Sequence, residues 1–115
     1  MMIAVIFEVW PAEGHKEAYL DLAGELRDEL DAMDGFISVE RFESIYEPGK
    51  MLSLSFWRDE AAVSAWRSHT HHRETQSKGR GGIFSNYRLR VAQVQRDYGL
   101  NDRKQAPADS RQIHD

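Results

Sequence analysis

The stretch 34–57, DGFISVERFESIYEPGKMLSLSFW, has the pattern of two β-strands joined by a tight turn. Its second half, KMLSLSFW, alternates apolar residues with serines, as a strand with one buried face does. The segment EPGK at 47–50 places a proline before a glycine, which suits a turn between antiparallel strands. The stretch therefore predicts a β-hairpin, entered through Gly35 at the end of a preceding helix.

Amphipathic helices are predicted on both sides of this hairpin. From His15 to Met33, apolar residues recur every three or four positions, and acidic residues fill the opposite side. After the hairpin, Asp59 can cap a second helix that runs through Trp66 and ends near SKGRGG at 77–82. The hairpin thus has a single helix before it and a single helix after it.

Strands are predicted outside both helices. Residues 2–10, MIAVIFEVW, are nearly all apolar, and residues 83–98, IFSNYRLRVAQVQRDY, form a last strand long enough to bend or to continue into a neighbouring molecule. The order β-α-β-β-α-β predicts a ferredoxin-like α+β domain over residues 1–98, an antiparallel sheet with both helices on one face. Residues 99–115 form a polar C-terminal tail without periodicity, expected to be mobile unless a partner holds it.

The first strand also predicts how the sheet is covered. A sheet with helices on one face only should have polar residues on the other, but the strand at 2–10 is apolar on both faces. The simplest cover is the same sheet of a second copy. The sequence therefore predicts a homodimer through the sheet face, a dimeric α/β barrel with space for a small ligand in each subunit.

Charge and composition exclude several classes of function. The formal net charge is −4, from 15 basic and 19 acidic residues that are interspersed, which argues against nucleic-acid binding. The chain has no cysteine, so it has no disulfide, thiolate metal ligand or thiol nucleophile, and a cytoplasmic protein is expected. The apolar run at the N-terminus is too short to span a bilayer, so no membrane segment is expected.

The chain resembles the antibiotic biosynthesis monooxygenase family of dimeric α/β-barrel proteins. The resemblance rests on DGFISVERFES, PGKMLSLSFWRDEAAVSAWR and IFSNYRLRVAQVQRDYG, and it covers residues 2 to about 98. It implies a monooxygenase that oxidises a small hydrophobic aromatic substrate, such as a phenol or an anthrone, with molecular oxygen and without metal, flavin or other cofactor. Such a site needs an apolar slot, a base near the substrate hydroxyl and exclusion of water.

The resemblance also implies positions for the substrate. In the polyketide-quinone oxygenases a tryptophan after strand three is a pocket residue, and Trp57 stands there. The pocket asparagine of those enzymes corresponds to Ser53, and their pocket tyrosine corresponds to Val63. Trp57 and Ser53 are therefore substrate-binding candidates, although Trp57 also has the features of an ordinary core residue.

A haem-degrading branch of the family implies an alternative function. Its tryptophan in the second helix is matched by Trp66, but Gln76 stands where its haem-ligating histidine would be, and its strand-one asparagine falls at or near Phe7. Haem binding of that kind would lack its axial ligand. Gln76 is kept as a substrate-binding candidate, and a non-enzymatic ligand-binding dimer is a third hypothesis, from a different class.

Three of the five histidines lie in AWRSHTHHRETQ, residues 65–76. With ~100° per residue along one helix, Trp66, His69 and His72 share a face, and His71 points away. A metal site would need a third ligand, which this face does not offer. Either the histidines belong to a polar, solvated helix end, or His69 or His72 is the catalytic base beside Trp66 as a pocket wall.

The last strand has two faces, and either could line the pocket. Tyr87, Leu89 and Val91 share one, while Asn86, Arg88 and Arg90 share the other. Tyr87 is a substrate-binding candidate on the first face. Arginines in the pocket would instead favour a carboxylate or enolate substrate.

Overall fold

The computed structural model contains a four-stranded antiparallel sheet with helices packed on one face. It describes the backbone of residues 1–115 and every side chain except those at positions 70, 71, 75 and 79. The elements in chain order are β1 (Ile3–Pro11), α1 (Lys16–Glu25), α2 (Arg27–Asp31), β2 (Phe36–Glu43), β3 (Met51–Trp57), α3 (Glu60–Arg67), α4 (Thr70–Lys78), β4 (Phe84–Gln93) and α5 (Ala108–His114).

The sheet has the strand order β2-β3-β1-β4. The central strand β1 pairs antiparallel with β3, where Ile3 lies opposite Trp57, and with β4, where Ile3 lies opposite Gln93. The predicted hairpin is confirmed, because β2 and β3 pair antiparallel and the Ser44 N–H donates to the Lys50 carbonyl at 2.9 Å across the turn. The predicted ferredoxin-like α+β fold is therefore confirmed.

The hydrophobic core lies between the sheet and the helices. Its larger cluster joins the sheet to α2 and α3 and consists of Ile3, Leu26, Leu30, Trp57, Ala62, Val63 and Trp66. A smaller cluster of Val9, Tyr19 and Met51 lies nearer the turn end of the sheet. The two clusters leave room between them on the same face, and the cavity described below lies there.

The first helix is not the single helix predicted from His15 to Met33. It is divided into α1 and α2 at Leu26, whose N–H donates at 3.3 Å to the carbonyl of Ala23, three residues back. This tighter turn interrupts the four-residue spacing of α-helical hydrogen bonds. The predicted apolar side is nevertheless buried, because Tyr19, Leu22 and Leu30 all face the core.

The second helix is also divided, which the sequence did not indicate. Asp59 caps α3 as predicted, since its Oδ1 accepts the Ala62 N–H at 2.9 Å. The helix then stops at Ser68, and the His69 N–H donates at 3.0 Å to the Trp66 carbonyl before α4 begins. The angles projected along one continuous helix for residues 66–76 therefore do not apply.

The last strand is shorter than predicted. It ends at Gln93, its pairing with β1 finishes there, and a final hydrogen bond joins the Val94 N–H to the Met2 carbonyl at 2.9 Å. The strand has 10 residues and forms an ordinary edge of the sheet. The expectation that it runs to residue 98 was wrong, because its central partner offers pairing positions only as far as Ile3.

The C-terminal tail contains regular structure that its lack of periodicity did not predict. Helix α5 spans Ala108–His114, and Ala106 just before it is buried. The Arg103 guanidinium links the two ends of the tail, donating to Asp115 Oδ1 at 2.8 Å and to the Gly99 carbonyl at 3.1 Å. Charge pairing within the tail, rather than an apolar face, accompanies this helix.

Gly35 provides a stability test of the junction between the first helices and β2. It has a φ of +86°, and an added Cβ would lie 2.6 Å from the Ala62 Cβ. We expect Gly35→Ala to lower the free energy of unfolding by about 2–4 kcal/mol, because left-handed strain and overlap with α3 add together. Urea unfolding followed by circular dichroism measures this change.

Gly49 is the matched control for this substitution. It has the same φ of +86°, but an added Cβ would meet no atom within 4 Å. Gly49→Ala should cost only the backbone strain, about 1 kcal/mol. Equal losses in the two variants would show that the contact with Ala62 does not restrict this position.

Candidate functional site

A cavity of about 310 Å³ lies between the sheet and the helices. This volume is at the lower end of the range for small-molecule sites. All four strands and helices α1 to α4 contribute to its walls, which are mainly apolar. The apolar aliphatic and phenylalanine side chains are Val5, Phe7, Leu22, Ala23, Leu26, Leu30, Val39, Val63, Phe84, Leu89 and Val91.

Trp57 is both a core residue and a wall of the cavity. Its side chain is only 2% exposed, and its indole Nε1 donates to Ser55 Oγ at 2.9 Å. Its ring packs edge-on against Phe36 and lies 6.4 Å from the ring of Trp66. Because the two indoles are in contact, a ligand ring has no room between them and must lie beside them, against the cavity face of Trp57.

Trp66 and His72 form a second aromatic wall. Trp66 is buried at the end of α3, and the His72 ring lies 4.9 Å from it at the start of α4. Both side chains line the cavity. The break between α3 and α4 brings the two rings together, although it removes the continuous helix on which their proximity was predicted.

His69 occupies the other side of the Trp66 ring. Its imidazole stacks on Trp66 at 5.4 Å, and its Nδ1 lies 4.0 Å from Glu29 Oε2 on α2. It does not line the cavity, and 36% of its side chain is exposed. Of the two histidines predicted as catalytic candidates, only His72 therefore faces the cavity, while the side chain of His71 lies outside the described residues.

The environment of His72 favours the neutral imidazole. Burial lowers the pKa of this side chain, the backbone carbonyl of Arg67 opposes the shift, and the neighbouring His69 adds to the lowering. Its Nδ1 is shielded from solvent and lacks a hydrogen bond of good geometry, as does the Nδ1 of His69. A neutral imidazole on the wall of an apolar cavity can accept a proton from a bound molecule.

The remaining predicted substrate-binding residues also line the cavity. Ser53 contributes a hydroxyl from β3, Gln76 a carboxamide from α4 and Tyr87 a phenol from β4. On β4 the cavity face is that of Tyr87, Leu89 and Val91, and Arg90 on the opposite face pairs with Glu8. The arginines of β4 are thus outside the cavity.

Tyr19 is a polar group that the sequence presented only as part of an apolar helix side. It lines the cavity, and its side chain is 5% exposed. Burial raises the pKa of the Tyr19 phenol, and the guanidinium of Arg41 only partly opposes this shift. The phenol is therefore protonated near neutral pH and is able to donate a hydrogen bond.

Arg67 and Arg80 also line the cavity, and sequence reasoning missed both. Arg67 lies within the second predicted helix without any feature that marks it, and Arg80 lies in GRGG, where that helix was predicted to end. Arg80 Nη1 donates to the Tyr87 hydroxyl at 2.8 Å. The hydrogen bond spans seven residues across the turn at 79–83, and no periodic pattern predicts it.

Metal ligation and membrane insertion find no support in the described structure. Among the described side chains, no group of three or more histidines and carboxylates is placed to hold a metal ion. None of the helices in the described residues is long and apolar enough to cross a membrane.

Comparison with known proteins identifies the family. The model of the antibiotic biosynthesis monooxygenase family matches residues 2–78. The chain belongs to this family. Within the antibiotic biosynthesis monooxygenases and their relatives, it is 46% identical over 103 residues to jasmonate monooxygenase ABM of Pyricularia oryzae, covering 90% of this chain and 48% of that protein. It is 33% identical over 94 residues to the uncharacterized protein YqjZ of Bacillus subtilis, covering 81% of this chain and 79% of that protein.

The chain spans about half the length of the Pyricularia relative. Solved structures share its fold at low sequence identity. Rv0793 of Mycobacterium tuberculosis has a TM-score of 0.77 at 18% identity, covering 86% of this chain and 100% of that one. SnoaB of Streptomyces nogalater, a cofactor-independent oxygenase, has a TM-score of 0.72 at 7% identity, covering 84% of this chain and 95% of that one.

Proposed function

We propose that this antibiotic biosynthesis monooxygenase-family protein transfers one oxygen atom from O2 to a small, largely apolar substrate in the cavity, without a metal or an organic cofactor. The observation that carries this proposal is the placement of His72. It is an imidazole whose pKa is lowered by burial, set against Trp66 on the wall of a cavity with a mainly apolar lining. A base in a water-poor, apolar site is what oxidation of an acidic substrate by O2 requires.

The proposed reaction oxidises a phenol-like or anthrone-like substrate with O2 as the only oxidant. His72 removes a proton, and the resulting anion is electron-rich enough to reduce O2 directly. The methylene carbon of an anthrone then loses two hydrogen atoms and gains one oxygen atom as a ketone, and the second oxygen atom leaves as water. The substrate supplies all of the electrons, so the protein contributes the base, the binding slot and the exclusion of water.

Polar groups around the cavity can orient such a substrate. Tyr19 can donate a hydrogen bond, and Ser53 and Gln76 can donate or accept one. Trp57 offers an aromatic face beside which a ring can pack. The name of the Pyricularia relative, a jasmonate monooxygenase, supports a small and mostly apolar substrate for this chain as well.

Oxygen uptake with dithranol, an anthrone, tests the proposal. We expect purified protein treated with EDTA to accelerate uptake at least tenfold over autoxidation without protein, since general-base catalysis alone typically contributes about 100-fold or more. Protein inactivated by heating serves as the control. No acceleration with dithranol, with or without EDTA, would contradict the proposal and favour a non-enzymatic ligand-binding module.

Haem degradation is the alternative that the cavity fits less well. Gln76 and Phe7 line the cavity at the two positions where haem-degrading relatives are expected to have histidine and asparagine. A cavity of about 310 Å³ is also small for a porphyrin. We expect no shifted Soret band on mixing the protein with hemin. A clear shift would show haem binding and favour the haem-degrading alternative.

A homodimer through the outer sheet face is part of the proposal. Ile6, Leu52, Leu54 and Phe56 alternate with cavity-facing residues along β1 and β3, so they lie on the face away from the helices. Phe42 on β2 is 41% exposed. Light scattering after gel filtration should give a dimer, and Leu54→Asp should give a monomer, because a charge on this face disfavours burial against a second copy.

A further inference from the structure

Two arginines stand where the cavity meets solvent. Arg67, at the end of α3, and Arg80, in the turn before β4, both line the cavity, and both residues are exposed to solvent. Arg67 Nη2 donates to Ser64 Oγ at 3.3 Å, and Arg80 Nη1 donates to the Tyr87 hydroxyl at 2.8 Å. Neither forms an ion pair with any described residue. Most of their donors therefore remain available to a ligand.

No acidic side chain lies beside this pair in the cavity lining. Acidic residues outnumber basic ones in the chain, 19 to 15, and some arginines pair with them, as Arg58 does with Asp34 and Arg103 with Asp115. The cavity lining, in contrast, contains no aspartate or glutamate. The mouth of the cavity thus carries positive charge that no lining side chain neutralises, next to mainly apolar walls.

We propose that the substrate carries a carboxylate, bound at the mouth by Arg67 and Arg80, with its apolar remainder inside the cavity. The inference rests on the proposed function and adds a carboxylate to the substrate proposed there; dithranol, which has none, represents only the part that is oxidised. Guanidinium groups match the geometry of a carboxylate and hold it with charge-assisted hydrogen bonds. The cavity suits the rest of such a molecule, because its walls are mainly apolar.

Tyr87 adds a third contact of the right polarity. Its hydroxyl oxygen accepts the hydrogen bond from Arg80, so the hydroxyl hydrogen is free to donate to the same carboxylate. Tyr87 also holds the Arg80 guanidinium at the cavity, which reduces the entropy lost when a ligand binds. Charge at the mouth then fixes the orientation of the substrate, with its carboxylate toward water and its apolar end toward the sheet.

The test compares acids with neutral molecules of the same shape. Trp57 and Trp66 line the cavity, so quenching of tryptophan fluorescence reports binding. The probes are jasmonate with its methyl ester, and 4-phenylbutanoate with 4-phenylbutan-1-ol. In the unaltered protein we expect each acid to bind about tenfold more tightly than its neutral partner, since two partly exposed guanidinium contacts are worth less than buried ones.

Variants of single arginines test which side chains cause the preference for acids. Arg80→Gln and Arg67→Gln should each weaken binding of the acids by roughly three- to tenfold and leave the neutral partners unchanged. Arg73→Gln is the matched control, because Arg73 lies on α4, is exposed and does not line the cavity. It should change the affinity of neither class. Circular dichroism establishes that each variant is folded.

The outcomes separate this inference from the proposed function. Equal affinity for acid and neutral partner in the unaltered protein, or no binding of either acid, would overturn the inference without reference to any variant. An equal effect of Arg73→Gln would also overturn it, since general surface charge would then explain the preference. Acid-selective binding without oxygen uptake would support the carboxylate site and count against the oxygenase alone.

Discussion

Replacing His72 with glutamine should lower kcat for oxygen uptake with dithranol by about 100-fold or more, the usual contribution of a positioned general base. Glutamine keeps a polar side chain of similar length next to Trp66 but cannot accept the substrate proton at neutral pH. The measurement is the initial rate in an oxygen electrode, corrected for autoxidation. A loss below threefold would eliminate His72 as the base.

The pH profile provides an independent check on the same residue. Burial lowers the pKa of His72, so the base stays unprotonated to a more acidic pH than an ordinary histidine, whose pKa is about 6.5. The acid limb of kcat/KM should therefore fall below pH ~6.5 and should disappear in the residual activity of His72→Gln. An acid limb above that value would contradict the burial of the base.

His69 separates the two histidine candidates. It contacts Trp66 from outside the cavity and faces Glu29. His69→Ala should therefore reduce the rate much less than His72→Gln, through a small change in the packing of Trp66. A larger loss of rate in His69→Ala than in His72→Gln would indicate that His69, on the outer side of the Trp66 indole, is the base.

Trp57→Ala should be the most destabilising single substitution that we predict, lowering the free energy of unfolding by about 3–5 kcal/mol. The side chain is 2% exposed, contacts Phe36 and Trp66, and donates to Ser55 Oγ. Its removal leaves a void beside the existing cavity and an unpaired buried hydroxyl. Urea unfolding measures the loss.

Tyr46 is the control for this substitution. It lies in the turn between β2 and β3 and is 98% exposed. Tyr46→Ala should change stability by less than about 0.5 kcal/mol, as surface substitutions usually do. If Trp57→Ala lowered the free energy of unfolding by less than 1 kcal/mol, Trp57 would line the cavity without stabilising the core.

The sequence predicted the sheet better than the helices, for a physical reason. Alternation along β3 and the turn at 47–50 specify strand faces and a hairpin locally. At both divisions a backbone N–H donates to a carbonyl three residues back, from Leu26 to Ala23 and from His69 to Trp66. Apolar periodicity continues across the first division, and the polar residues 67–78 give no periodic signal at the second. Periodicity therefore merges α1 with α2, and the sequence offers no Gly or Pro that would separate α3 from α4.

The sequence predicted those site residues whose orientation is set by the alternating faces of a strand. Trp57, Ser53 and Tyr87 line the cavity because each lies on the helix-covered face of its strand. Arg80 was not found, because its position depends on the turn that follows α4 and on a hydrogen bond to Tyr87. Arg67 was not found, because it lies at the end of α3, where the helix was expected to continue. In sequence they are indistinguishable from ordinary surface arginines.

Isotope labelling tests the central claim most directly. Protein treated with EDTA is allowed to oxidise dithranol under ¹⁸O2, and the product is analysed by mass spectrometry against a reaction without protein and one with His72→Gln. The account predicts product with one ¹⁸O atom, formed at least tenfold faster than in either control. Product that forms no faster than in the control without protein, or that carries oxygen from water alone, would contradict it.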